Sequence, residues 1–259
     1  MSKYHLTRQG FLGSATLPNI SRAGQLNAGV LLLGSGTNGS TNIIDSSVNN
    51  FTVNRFGNTQ ISTAQFPTGM TSSILFDGTN DYLSINANTA FDINSGDFTI
   101  EFWVYPTVNK TFATFLGVWG QTGNSDSTWL LGAESGTLGF FWLPFNNTTR
   151  MLNGGTVPLN TWTYISVTRT GNTFRIWRNG LFQASQTSTN SIGIAPLTIG
   201  WYGFLSTANR LQGNISNVRI IKGLSLYQAS SNYTPPSLPL ANSVPATINN
   251  NIYGLYQNY

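Results

Sequence analysis

WTYISVTRTGNTFRIWRNGLF, Trp162 to Phe182, carries two strands and two tight turns. Ile165 and Val167 alternate with Ser166 and Thr168, and Phe174 and Ile176 flank Arg175. Period-two alternation marks a half-buried strand. Thr170-Gly171-Asn172-Thr173 joins the two strands, and Asn179-Gly180 turns the chain again into Leu181-Phe182. Both central residues of such a two-residue turn need positive φ, which Asn and Gly tolerate best. A meander of this kind needs a sheet to join and a second sheet to pack against.

The chain on either side offers both. Upstream, Ser73-Ile74-Leu75-Phe76 turns at Asp77–Asp81 into Tyr82-Leu83-Ser84-Ile85. Phe98, Ile100, Phe102 and Val104 then line one face of a strand whose other face carries Thr99, Glu101, Trp103 and Tyr105. Large side chains on both faces place it centrally in a sheet. Pro106 ends it, because proline cannot donate to the ladder. TFATFLGVWG, TWLLGA and TLGFFWLPF supply more strands between residues 111 and 145, and Leu197–Tyr202 and Gly213–Ile220 supply two after the meander. Burial of Ile215, Val218 and Ile220 together requires a β-bulge between Ile215 and Val218. Phe51 with Val53, Ile61, and Val30–Leu33 suggest further short strands. No segment shows a helical stripe. Many short strands separated by frequent turns predict an all-β, antiparallel two-sheet sandwich of the jelly-roll kind.

The 259 residues are enough for a substantial core. Only 8% are charged, against about a quarter in most soluble domains. Ser, Thr, Asn and Gly fill the surface instead, which suits an extracellular protein or one inside a large assembly. The net charge of +4 comes from scattered residues, whereas nucleic-acid binding needs a clustered basic face. There is no cysteine, so no disulfide framework. No apolar run is long enough for a membrane helix.

The first residues, MSKYHLTRQGFLGSATLPN, lack the apolar core of a secretory signal. A virion protein, made in the host cytoplasm and released by lysis, reconciles that with the composition. Residues 1–28 read as an extended arm docked on a partner or on the main domain, or else as a leader without fixed structure. Residues 29–240 form the sandwich. Residues 241–259 are an Asn-rich tail with Tyr253, Tyr256 and Tyr259 at intervals of three.

Gly34-Ser35-Gly36-Thr37-Asn38-Gly39 follows a strand and matches the dinucleotide fingerprint G-x-G-x-x-G. That fingerprint needs a helix whose N-terminus receives the pyrophosphate. STNIIDSSVNNFTVNRFG follows instead. It has no helical stripe, and a glycine-rich turn is the better reading.

Several signatures occur in order: LLLGSGTNGSTNIIDSS, SSILFDGTNDYLSI, SGDFTIEFWVYP, WTYISVTRTGNTFRIWRNG, LTIGWYG, GNISNVRIIKG and NYTPPSLPL. Together they resemble the concanavalin A-like lectin/glucanase superfamily in its laminin G-like branch, over roughly residues 30–240. The TPPSLPL exit and the GTNGST opening are similar to the version found in tailed-phage structural proteins. The resemblance implies a sandwich of two curved antiparallel sheets that binds sugar or protein at its loops or concave face. It implies a virion component, a capsid decoration or fibre protein. Such a protein would dock on other virion subunits through the arm, act as a homo-oligomer on the particle, and adhere to host surface polysaccharide. The other implied role is a lectin or adhesin module that is not part of a particle.

Catalysis is not expected. Glycoside hydrolysis uses two carboxylates about 5–5.5 Å or about 6.5–9.5 Å apart, and Glu101 and Glu134 are the only glutamates. Glu101 reads as a structural carboxylate bonded to an arginine or a hydroxyl, or as an acid of raised pKa beside Trp103. His5 is the only histidine. Laminin G-like domains often hold calcium at a loop rim, and the oxygens here that suit it are those of Asp77, Asn80, Asp81 and Asp92, with Asp97. The same residues also serve as ordinary turn formers. Glycan stacking would draw on Trp119, Trp129, Trp201 and Tyr202, with Trp142, all near strand ends.

Overall fold

A computed structural model describes residues 25–118, 129–142, 150–189, 191–201 and 209–245. Every strand pair in it is antiparallel, and the described residues contain no α-helix. One sheet has seven strands in the order β11 (Arg150–Thr156), β10 (Thr137–Trp142), β9 (Trp129–Glu134), β8 (Phe112–Val118), β15 (Leu197–Ile199), β6 (Tyr82–Ile85), β3 (Asn54–Phe56). The other has eight. Its main path is β14 (Leu181–Thr187), β13 (Thr173–Arg178), β12 (Thr163–Thr170), β7 (Phe98–Pro106), β16 (Gln212–Lys222), β5 (Ser73–Asp77), β4 (Gln60–Ser62). The eighth strand, β2 (Val30–Leu32), also pairs with β16. A third, small ribbon joins β1 (Gln25–Asn27) to β17 (Ser243–Pro245).

The meander forms as its alternation predicts. β12 pairs with β13 from Thr170↔Thr173 to Ile165↔Arg178, and β13 pairs with β14 across Asn179-Gly180. Asn179 has φ 50° and Gly180 φ 74°, the two positive values that this turn requires. β7 is central, between β12 and β16, and its last residue is Pro106. Phe98, Ile100, Phe102 and Val104 are fully buried in the core between the sheets. Phe98 and Phe174 from one sheet meet Phe140 from the other at ring-centroid distances of 6.4 and 6.1 Å, the first tilted and the second stacked, and meet each other edge-on at 6.0 Å. Edge and tilted contacts of this kind suit the ring quadrupoles.

The expected bulge is present. Ser216 faces Trp103 and Arg219 faces Glu101, so Asn217 and Val218 together oppose Phe102. Asn217 takes φ 55°, and Ile215, Val218 and Ile220 are all fully buried. At this point β16 changes its second neighbour, from β5 to β2. Asn217 secures the change, since its Oδ1 accepts the Leu240 amide at 2.8 Å and its own amide reaches Leu33 O at 3.3 Å.

Some expectations shift. Phe51 and Val53 lie outside any strand. The Phe51 amide donates to Asp45 Oδ2, and its ring meets Phe91 edge-on, so the segment is fixed by side-chain anchors rather than by a ladder. β11 has no alternating pattern to announce it, because its glycines serve close packing. A Cβ on Gly154 would sit 2.3 Å from Leu138 Cδ2. The glycine-rich stretch at Gly34–Gly39 is a turn with no helix after it, tied back through Ser72 Oγ, which accepts from Gly36 N and donates to Gly34 O.

Residues 223–240 strap the outer face of the eight-stranded sheet. Thr99 Oγ1 donates to Leu224 O and accepts from Leu226 N. Trp177 Nε1 donates to Ser231 O, and Tyr233 N donates to Gly180 O. Leu26 and Val244 of the small ribbon join Trp177, Ile221, Leu224, Leu226 and Tyr227 in a second apolar cluster.

Candidate functional site

Among the described residues, two constellations gather several charged and aromatic groups. The first lies under the strap. Glu101 is fully buried and accepts from Arg219 Nε at 2.6 Å and from the Tyr227 hydroxyl at 2.9 Å; Arg219 Nη2 stands 2.5 Å away. The Tyr164 hydroxyl also donates to Glu101. Tyr227 and Tyr233 stack with ring centroids 3.8 Å apart, and Tyr233 bonds Ser166. Burial pushes the Tyr164 and Tyr233 hydroxyls well above their ordinary value, with the Glu101 charge adding to it. Glu101, Arg219 and the three tyrosine hydroxyls are all spent on one another or on neighbours, while Trp103 Nε1, beside Tyr164, has no partner. Glu101 is therefore the structural carboxylate bonded to an arginine and to hydroxyls, and no substrate reaches it.

The second constellation lies at the rim, where the β5–β6 connection crosses from one sheet to the other and meets the end of β15. Tyr82 opens β6 and pairs with Phe56 of β3, so both rings fall on one face. They stack at 4.1 Å with an interplanar angle of 1°. Trp201 follows β15, and its ring lies 4.8 Å from that of Tyr82. The Leu211 amide donates to Gly200 O at 2.9 Å, which draws Arg210 alongside Trp201. The Arg210 guanidinium sits 4.3 Å from the Trp201 centroid and 5.2 Å from that of Tyr82. Phe56 is exposed, Tyr82 and Trp201 are half-buried, and Arg210 is buried. Cations prefer aromatic faces at these distances.

The Asp77–Asp81 turn borders this rim. Asp81 is buried and uses both oxygens on backbone amides, Oδ1 on Asn58 and Oδ2 on Asp77. Burial raises its pKa, and those two amide bonds oppose the rise. Asp77 Oδ1 accepts from the Thr79 and Asn80 amides, the pattern of an Asx turn. Lys110 donates to Gly78 O at 2.9 Å, and its pKa is lowered by burial, with the Arg210 charge adding to that and Asp77 opposing it. Burial likewise lowers that of Arg210.

Of the residues expected to hold calcium, Asp77, Asn80 and Asp81 come together in this turn, while Asp92 sits on the connection after β6. Among the described residues no three acidic or histidine side chains gather as a metal-holding group. Of the expected stacking residues, Trp201 is at the rim. Trp129 is not available for stacking. It is 1% exposed and packs on Phe140 in the core, because β9 points it between the sheets. Trp119 and Tyr202 lie outside the described residues, and so does the side chain of Trp142. Phe56, Tyr82 and Arg210 were not singled out from the sequence. The available signal was Tyr82, an aromatic in the non-core register of Tyr82-Leu83-Ser84-Ile85.

A sandwich of this topology, with a central β7 and a bulged β16, matches a known family profile. The profile, described as the concanavalin A-like lectin/glucanases superfamily, covers residues 77–225. The chain belongs to this superfamily. No curated protein matches it. Solved structures of similar fold include the binding domain of Paraclostridial Mosquitocidal Protein 1, at TM-score 0.60 and 17% identity, covering 77% of this chain and 50% of that one. The botulinum neurotoxin serotype D binding domain aligns at TM-score 0.58 and 18% identity, covering 77% and 49%. A botulinum neurotoxin type C structure, described as showing that cell entry depends on interaction with two ganglioside molecules, aligns at 0.59 and 18%, covering 77% and 49%. The chain thus spans about half the length of these neighbours. As a member of the superfamily it shares with them a lectin-like β-sandwich.

Proposed function

We propose that this chain is a non-catalytic glycan-adhesion module of a tailed-phage virion protein, a capsid decoration or fibre component. The observation that carries the adhesion is the rim of Phe56, Tyr82, Trp201 and Arg210. Sugars are recognised by aromatic faces that cover their C–H surfaces and by a few fixed polar groups that orient them, and this rim offers both. The ganglioside dependence described for botulinum neurotoxin type C agrees with a binding role for the fold. The virion setting is supported by the low proportion of charge, the absence of cysteine and the similarity of the loop sequences to phage structural proteins. In this setting the arm, residues 1–28, docks the sandwich on capsid or fibre subunits, and several copies on one particle add avidity to weak sugar contacts.

Two experiments test this reading. Wild-type protein and Trp201→Ala are applied to host surface polysaccharide; binding by the wild type and its loss in the variant support adhesion, and wild-type protein that captures no host glycan removes it. Protein lacking residues 1–24, which leaves β1 intact, is offered to particles; normal decoration by the truncated protein rejects docking through the arm.

A further inference from the structure

Among the described residues three arginines are buried, and they differ in how they are satisfied. Arg219 reaches Glu101 through two nitrogens and Ala241 O through the third. Arg169 donates to the carbonyls of Gly171, Asn94 and Ser188. Arg210 is 7% exposed, yet its Nε and Nη1 are buried without any acceptor. Two rings attend the guanidinium, Tyr82 and Trp201, and rings offer no acceptor to an in-plane N–H.

The nearby acids do not fill this gap. Asp77 and Asp81 lie close enough for their charges to act on Arg210, but neither accepts from it: both oxygens of Asp81 take backbone amides and Asp77 Oδ1 holds its own turn. The ion pair found among the described residues is Arg219 with Glu101. Burying a guanidinium without an anion or a full set of acceptors is costly. A cation held this way beside exposed aromatic surface is prepared for a partner that arrives with a negative charge.

We propose that Arg210 is the anion-recognition residue of this rim and that the sugar bound there is acidic, bearing a carboxylate as uronic acids do. This rests on the glycan-adhesion reading and names the sugar class. The guanidinium is planar and matches a carboxylate in shape. A local opening of the rim that uncovers the buried Nε and Nη1 lets a carboxylate accept from the guanidinium while the sugar ring lies against Phe56 or Trp201. The charges of Lys110, Asp77 and Asp81 all act at this rim, so the anion is drawn by the unmet guanidinium hydrogens rather than by a surplus of positive charge.

The test uses the full chain and three probes: an oligogalacturonide, the same oligosaccharide with its carboxyl groups reduced to alcohols, and a sulfated galactan oligosaccharide. Wild-type protein is expected to bind the acid about tenfold or more tightly than the reduced form, the difference expected for a charged hydrogen bond. Arg210→Gln should erase that preference, and Arg210→Lys should keep only part of it. Equal binding of the acid and reduced forms by wild-type protein overturns the proposal. So does a preference that survives Arg210→Gln, or Arg210-dependent binding of the sulfated probe alone. The wild-type comparison changes only the ligand, so it decides the matter even if a variant folds poorly. Neutral-sugar binding that is lost in Trp201→Ala and indifferent to charge would reject the acidic ligand and leave glycan adhesion standing.

Discussion

Arg219 and Glu101 face each other directly across β16 and β7, one residue past the bulge. The extra residue at Asn217–Val218 sets this register and turns Arg219 to the strap side, where Glu101 also points. Removing one member leaves the other charged and buried, at a cost of about 3–5 kcal/mol. Arg219→Met alone should therefore destabilise strongly in denaturant unfolding. Arg219→Met with Glu101→Leu should recover much of the loss, since an apolar pair of similar volume is tolerated. A double variant as unstable as the single one would show that the pair is not the issue.

The tyrosines under the strap set an alkaline limit. In the unfolded chain Tyr164 and Tyr233 lose their protons near pH 10. In the folded chain burial raises both well above that value. Below about pH 10 both states are protonated and these groups leave stability unchanged with pH. Above it the folded state retains protons that the unfolded state has lost, so stability falls as pH rises, by roughly 1.4 kcal/mol per pH unit for each tyrosine. Thermal melts from pH 9 to 11 should show this decline, and Tyr233→Phe should make it shallower. An unchanged slope in Tyr233→Phe counts against the assignment.

Gly180 admits no side chain. A Cβ there would lie 1.9 Å from Tyr233 O, and φ is 74°. Gly180→Ala must strain the turn and push the strap away, for about 2 kcal/mol or more. A drop of roughly 5 °C or more in Tm is expected. Gly171→Ala, where a Cβ would meet no heavy atom within 4 Å, should cost less. The reverse order would mean that the strap yields easily.

The Asp77–Asp81 turn should be stable without calcium. Asp81→Ala strands two amides, and losing such acceptors costs about 1–3 kcal/mol. The loss should be the same in a chelator as in millimolar calcium. A calcium-dependent rise in the Tm of wild-type protein that disappears in Asp81→Ala would make the turn a metal site.

Wherever the sequence keeps a two-residue period, it reveals the fold. Ile165–Thr168, Phe98–Val104 and the Ile215–Val218–Ile220 spacing placed the meander, the central strand and the bulge, because one buried face imposes the pattern. The rim was poorly legible. Phe56, Tyr82, Trp201 and Arg210 come from three separate parts of the chain and meet through the β3–β6 and β6–β15 pairings and the Leu211–Gly200 bond. Trp129 shows the opposite difficulty, since a tryptophan at a strand end reads alike whether it points into the core or out of it. β1 and β17 are three-residue strands, too short to show any period.

The ribbon of β1 and β17 also has a mechanical consequence. Gln25 is paired with Pro245, so the first and last described residues lie side by side. Tension applied between the two flanking segments would load this pair first and peel it one bond at a time, starting at Gln25–Pro245. The two sheets would bear little strain until it had parted. Under such a load the ribbon would act as a sacrificial latch, lengthening the chain while the two sheets stayed folded.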